Sequence, residues 1–227
     1  MADDGPDAPD RLDGYREKLV RRKQEWARDG RLLTSAADAD AVSQNRLPPG
    51  QRLVQNWPVL DLGVQPDIPK EKWIFVVDGF VESPIRWTWD DFMAQPQVTM
   101  TSDIHCVTGW SRYDNAWTGV HVAHLLDMCR PEKEARHCLF YSSDGYTTNI
   151  RLDRFADEDV LLAHSWNGAP LTKEHGGPVR AVVPKWYFWK SAKWIRRIEF
   201  LADDEKGFWE DRGYHNEGDP WKEERYD

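Results

Sequence analysis

Residues 98–106 alternate apolar and polar side chains, and this period of two constrains the fold more than any other feature of the chain. Val98, Met100, Ile104 and Cys106 fall on one face of an extended strand. Cys106 is therefore expected to point inward. The stretch Ser102-Asp103-Ile104-His105-Cys106-Val107-Thr108-Gly109-Trp110 ends the strand, and its glycine predicts a sharp turn. Adjacent strand residues project to opposite faces, so His105 is poorly placed to act as a base for Cys106.

Other short extended runs follow the same logic. Trp73–Val77 reads as a strand turned at Asp78-Gly79, and His137–Tyr141, Val160–His164, Val179–Val183 and Ile195–Leu201 read as further strands. Asn167-Gly168 predicts a tight turn between Val160–His164 and Leu171. The helical segments are short. Thr88 caps one that runs through Phe92, with Asp90 and Asp91 in its first turn. Val120–Cys129 places Val122, Leu125, Leu126 and Cys129 on one face before Pro131 stops it, and Leu152–Asp157 reads as a brief turn. Many short strands with few helices predict an α+β fold with mixed or largely antiparallel β-sheets.

A chain of 227 residues suits one large domain with extensions. Residues 1–46 read as an N-terminal extension, polar through 13, with a short surface helix from Tyr15 to Asp29. Ala36–Val42 is small and acidic, and Leu47-Pro48-Pro49-Gly50 marks the boundary. Residues 47–204 form the main domain. Residues 205–227 are a charged tail whose Phe208, Trp209, Tyr214 and Trp221 predict packing against the domain.

The net charge of −9 argues against nucleic acid as a partner, because a phosphate backbone calls for clustered Lys and Arg. Three cysteines without a Cys-x-x-Cys pair make neither a disulfide framework nor a structural zinc site, so a reducing, cytoplasmic compartment is expected. The N-terminus shows no basic segment leading into an apolar one, and no run approaches the roughly 18 apolar residues of a membrane span. Neither export nor membrane insertion is expected.

As a thiolate, Cys106 suits a soft metal or serves as a nucleophile; as a thiol it packs inertly in a core. The residues around it leave these readings open. Cys129 and Cys138 are assigned to the core. Asp144-Gly145-Tyr146-Thr147-Thr148-Asn149 gathers hydrogen-bonding groups that suit a polar heterocycle, and ordinary turn chemistry as well. In Glu174-His175-Gly176-Gly177-Pro178-Val179-Arg180, the glycines admit close backbone approach and Arg180 offers a bidentate hold on phosphate. Trp189-Lys190-Ser191-Ala192-Lys193-Trp194 adds cations, a hydroxyl and backbone amides. Together they read as a cradle for a phosphate and a heterocycle.

The motifs His105–Ser111, Asp144–Thr148, His175–Pro184 and Tyr187–Trp194, in this order, resemble the molybdopterin-binding domain of the sulfite oxidase family. They are closest to its stand-alone prokaryotic branch, and the resemblance covers about residues 47–227. It implies a molybdenum–molybdopterin cofactor with Cys106 as the protein's ligand to the metal. It implies Asn56, Trp57, Asp144, Thr148, His175, Arg180, Lys190, Ser191 and Lys193 around the pterin and its phosphate. It also implies oxygen-atom transfer on a small substrate, with sulfur compounds as the candidate class. With no haem-binding region in the chain, electrons are expected to pass through a separate haem or flavin protein. Where animal and plant sulfite oxidases place a substrate-binding arginine, five residues after the cysteine, this chain has Ser111. Arg112 follows and is the candidate for that catalytic role. Two readings from other classes stay open: a hydrolase using Cys106 with His105, His121 or His175, and a cofactor-free interaction module.

Overall fold

The computed structural model describes residues 17, 18, 20–25 and 46–227. The expectations for residues 1–13 and 36–42, and both ends of the helix read from Tyr15 to Asp29, lie outside the described residues. Residues 17, 18 and 20–25 are helical (α1).

Two mixed sheets form the domain, as the α+β expectation requires. The first is six-stranded and is built around β5 (Trp110–His121). This strand pairs in parallel with β1 (Arg52–Leu53) and antiparallel with β4 (Gln97–Cys106) and β8 (Leu161–Trp166). β8 pairs in turn with β9 (Ala169–Pro170) and β10 (Arg180–Val182). The second sheet has five strands in the order β3 (Ile85–Thr88), β2 (Ile74–Gly79), β11 (Ile195–Leu201), β6 (His137–Ser142) and β7 (Thr147–Arg151). Its β2–β11 pair is parallel and the rest antiparallel.

The helices follow their local signals. α2 (Trp89–Met93) starts at a reciprocal cap: the Asp91 amide donates to Thr88 Oγ1 at 3.2 Å, and the Thr88 amide donates to Asp91 Oδ2 at 2.9 Å. α3 (Val122–Cys129) buries Val122, Leu125 and Cys129, and α4 (Leu152–Phe155) is a single turn. The Asn167-Gly168 turn has φ values of 48° and 78°, the paired left-handed geometry of a tight hairpin. Among the described residues no helix is long and apolar enough to cross a membrane.

Strands β3 and β5 were not read from the sequence, Val120 and His121 at the end of β5 having been read as the start of a helix, and β7 overlaps residues read as a turn. β5 contains Asp114, Asn115 and Gly119, which interrupt its apolar pattern. Tertiary packing explains them. A Cβ on Gly119 would lie 2.0 Å from the Leu162 carbonyl, so only glycine lets β8 come this close. Asp114 takes a left-handed φ of 55°, and its amide donates to Asp103 Oδ1 at 3.1 Å, beside the register shift between Ser102 and Ile104.

The tail lies against the domain. The Phe208 amide donates to the Thr147 carbonyl at 2.9 Å, and the Tyr187 amide donates to the Gly218 carbonyl at 2.8 Å. α1 docks on this tail. Gln24 Nε2 donates to the Arg212 carbonyl at 3.2 Å, the Tyr226 hydroxyl donates to the Gln24 carbonyl at 3.2 Å, and Val20 is buried.

Candidate cofactor site

The β4–β5 hairpin puts Cys106 at a strand end. Cys106 pairs with Trp110 across the turn, and Gly109 supplies the left-handed φ of 92° that the turn requires. Ile104, His105 and Cys106 are all buried, so the alternation of exposure that runs along β4 stops here. The reason is that both faces are covered. His105 lies beside Trp221 of the tail and shares a 2.8 Å hydrogen bond between its Nδ1 and Ser111 Oγ. Cys106 instead lines a cavity of about 130 Å³.

Burial pushes the Cys106 thiol up, and its Sγ lies 3.1 Å from Thr108 Oγ1. That hydroxyl is the hydrogen-bond partner of the thiol among the described residues, whereas His105 is engaged with Ser111. Among the described residues a thiol–imidazole pair, the requirement of a cysteine hydrolase, is not formed.

Of the residues singled out from the sequence, Trp57, Asp144, His175, Arg180, Ser191 and Lys193 line the same cavity as Cys106. Trp57 stacks on His175 with ring centroids 3.8 Å apart. Asp144 is buried, and its Oδ1 accepts from the Tyr146 amide at 3.0 Å. Ser191 is held by accepting from the Val183 amide at 2.9 Å. Gly176 brings the 175 loop against Lys193: a Cβ there would meet the Lys193 Cβ at 2.9 Å, and its φ is 101°. The glycine is thus required by both space and backbone.

Arg180 is 2% exposed. Its Nη1 donates to the His175 carbonyl at 2.9 Å and its Nη2 to the Ser191 carbonyl at 2.8 Å. Lys193 Nζ donates to the Glu174 carbonyl at 2.9 Å. Neither cation has a carboxylate within salt-bridge distance among the described residues. Burial pulls Arg180 down to about 9, and burial together with Arg180 pulls Lys193 down to about 7. Two buried cations without a paired anion are costly, and an anionic ligand in the cavity would offset that cost. The donor set also fits a metal complex that brings most of its own ligands. No group of three or more His, Cys, Asp and Glu converges among the described residues, so the lone soft donor at the cavity is the Cys106 thiol.

The remaining sequence candidates lie elsewhere. Asn56 is exposed beside Trp57 and is not part of the cavity wall. Arg112 is tied to Asn115 Oδ1 and to the Gln55 carbonyl, and its guanidinium lies 4.6 Å from the centre of the Trp166 ring. Thr148 donates to Glu210 Oε1 at 3.0 Å. Lys190 forms a buried 2.7 Å ion pair with the same oxygen and lines a separate, smaller cleft. Sequence reasoning missed Lys23 of α1, which lines the main cavity, and Arg225 of the tail, which donates to the Val107 carbonyl beside Cys106. Lys23 follows Val20 at helical spacing on a buried face, a pattern that was readable; Arg225 had no local signal.

Burial and Arg180 pull His175 from 6.5 down to about 4. Between these values the unfolded chain holds the proton and the folded one does not. The stability this group provides is full above about pH 6.5 and is lost as the pH falls toward about 4. Urea unfolding of cofactor-free protein across that window will show a smaller acid loss in His175→Gln than in the wild type. Equal losses would mean that His175 does not titrate as the geometry requires.

A family model described as the oxidoreductase molybdopterin binding domain matches residues 62–209. The chain belongs to this family. Membership makes it an oxidoreductase and makes molybdenum–molybdopterin its cofactor. It is 44% identical to the Uncharacterized oxidoreductase YuiH of Bacillus subtilis, over 80% of this chain and 92% of that protein. It is 28% identical to the Sulfite oxidase of Arabidopsis thaliana over 60% of this chain, but spans only 44% of that protein. In fold it is similar to the Sulfane Dehydrogenase SoxCD of Paracoccus pantotrophus, with a TM-score of 0.56 and 24% identity over 61% of this chain and 40% of that one. The sulfite oxidase resemblance read from the motifs agrees with these matches.

Proposed function

We propose that this oxidoreductase carries out oxygen-atom transfer on a small, sulfur-containing substrate and exchanges electrons through a separate haem or flavin protein. The observation that carries the reading is the convergence, in one cavity, of a lone buried thiol with two buried cations that lack paired anions among the described residues. When bound, the cofactor supplies the oxo-transfer chemistry.

The chain's own residues supply position and charge. Cys106 would hold the metal through its sulfur, which would bind as the thiolate. Arg180 and Lys193 face the anionic groups of the cofactor, and the desolvation that depresses their proton affinity also strengthens their attraction for an anion. Ser191 and Asp144 offer hydrogen bonds to the heterocycle. The stacked Trp57 and His175 rings, with Phe188 and Trp110, keep the wall apolar and limit water. His175 stays neutral at physiological pH and so adds no charge to this wall. The three cysteines are free, which supports a reducing, cytoplasmic setting for the enzyme.

The test is turnover of the purified protein, reduced anaerobically for a panel of S-oxides and N-oxides and oxidised with an electron acceptor for sulfite, with molybdenum and pterin measured in the same preparation. Equimolar molybdenum with turnover of a sulfur compound supports the reading. Equimolar molybdenum with turnover of N-oxides alone would overturn the substrate class. Absence of both molybdenum and pterin would leave the interaction module as the better description.

A further inference from the structure

Residues 62–209 carry the family match, yet one wall of the cavity comes from outside them. Lys23, on α1, lines the cavity together with Cys106, Asp144 and Lys193. It is 9% exposed, and its Nζ donates to the Asp61 carbonyl. A backbone carbonyl leaves the ammonium's other donors for something else. Asp61, Cys106 and Asp144 act electrostatically on it, and it acts in turn on Lys193. No salt bridge to Lys23 is formed among the described residues.

The position of Lys23 is fixed rather than incidental. Val20, one turn earlier on the same face, is 2% exposed. Gln24 is bonded through its side chain to Arg212 and through its carbonyl to Tyr226. Glu17 pairs with Arg212 at 3.2 Å. The helix therefore carries its lysine to the cavity from contacts made on the tail. A long, flexible, strongly hydrated side chain is an expensive choice for a merely apolar wall.

We propose that Lys23 is an anion-binding residue of the Cys106 cavity, which makes α1 part of the ligand site. The ligand atom it meets is an anionic oxygen, on the phosphate of the cofactor or on an oxyanion substrate. This inference rests on the functional reading above.

The test uses the full chain as holoprotein, with Lys23→Met to keep the apolar stem and Lys23→Arg to keep the charge. Molybdenum and pterin retention is followed with time, and acylation of Lys23 is read by peptide mass spectrometry with and without cofactor. If the cofactor phosphate is the partner, Lys23→Met loses molybdenum and pterin about tenfold faster, the effect of one hydrogen bond between charged groups. Lys23→Arg then behaves as wild type, and Lys23 is acylated only after cofactor removal. If a substrate oxyanion is the partner, retention is unchanged. Sulfite binding then weakens about tenfold in Lys23→Met while neutral dimethyl sulfoxide is unaffected. Equal acylation in holo and stripped protein, with retention and sulfite binding both unchanged, overturns the proposal. Should wild-type protein contain no molybdenum or pterin, the functional reading fails separately. Lys23 is then judged by inorganic phosphate: protection from acylation supports an anion site, and its absence overturns it.

Discussion

Cys106→Ser will abolish turnover and strip molybdenum from the purified protein while leaving the fold intact. The two side chains are nearly isosteric, and Cys106 sits at a strand end whose register is set by the backbone pairing with Trp110. The hydroxyl can keep the contact with Thr108, so little packing is lost. A hydroxyl, however, is a poor substitute for a thiolate toward a soft metal. Partners that merely orient a metal ligand are worth about 10–100-fold in affinity or activity, and loss of the ligand itself will exceed the upper figure. The measurement is molybdenum content beside turnover, with circular dichroism to confirm the fold. Retention of both would remove Cys106 from the centre of the site.

Lys190→Met will unfold the protein more readily without acting through the cavity. Lys190 and Glu210 are 1% and 0% exposed in their side chains and lie 2.7 Å apart. Lys190 also donates to the Asn149 carbonyl at 2.9 Å and to Asn149 Oδ1 at 2.7 Å, and Glu210 Oε1 further accepts from Trp189 Nε1 at 2.9 Å. The pair joins β7, the 188–193 segment and the tail. Removing the lysine leaves a buried carboxylate without its cation, a loss of about 3–5 kcal/mol. The expected signature is a fall in Tm of roughly 10 °C in cofactor-free protein. Replacing both partners, as in Lys190→Met with Glu210→Leu, will recover much of the loss. A variant that is stable when cofactor-free yet sheds cofactor would return Lys190 to the ligand site where its motif suggested it belonged.

Lys190 and Lys193 mark where sequence reading reached its limit. They are three residues apart in one motif of the right chemistry, yet one faces the cavity and the other a buried glutamate from the tail. Glu210 was a tail charge in the sequence, and nothing local announced that it would be 1% exposed. Thr148 shows the same effect: β7 turns its hydroxyl to Glu210 rather than to the cavity. Arg112 was read as a candidate for substrate; its contacts with Asn115, Gln55 and Trp166 depend on β5, a strand whose polar and glycine positions hid it.

The sequence by itself determined the α+β class, the strand that ends on Cys106, the capped helix α2, the hairpin at Asn167-Gly168 and a set of cavity residues from Asp144 to Lys193. Each rests on short-range rules: alternation, capping, glycine in left-handed turns, and residue types suited to phosphate and metal. Tertiary structure decided which cations of that set lack a carboxylate partner among the described residues, which are paired away, and that α1 brings Lys23 to the same cavity. Those outcomes turn on contacts between segments as far apart as residues 23, 61 and 193, and a charge's environment is set by what folds against it, not by its neighbours in the chain.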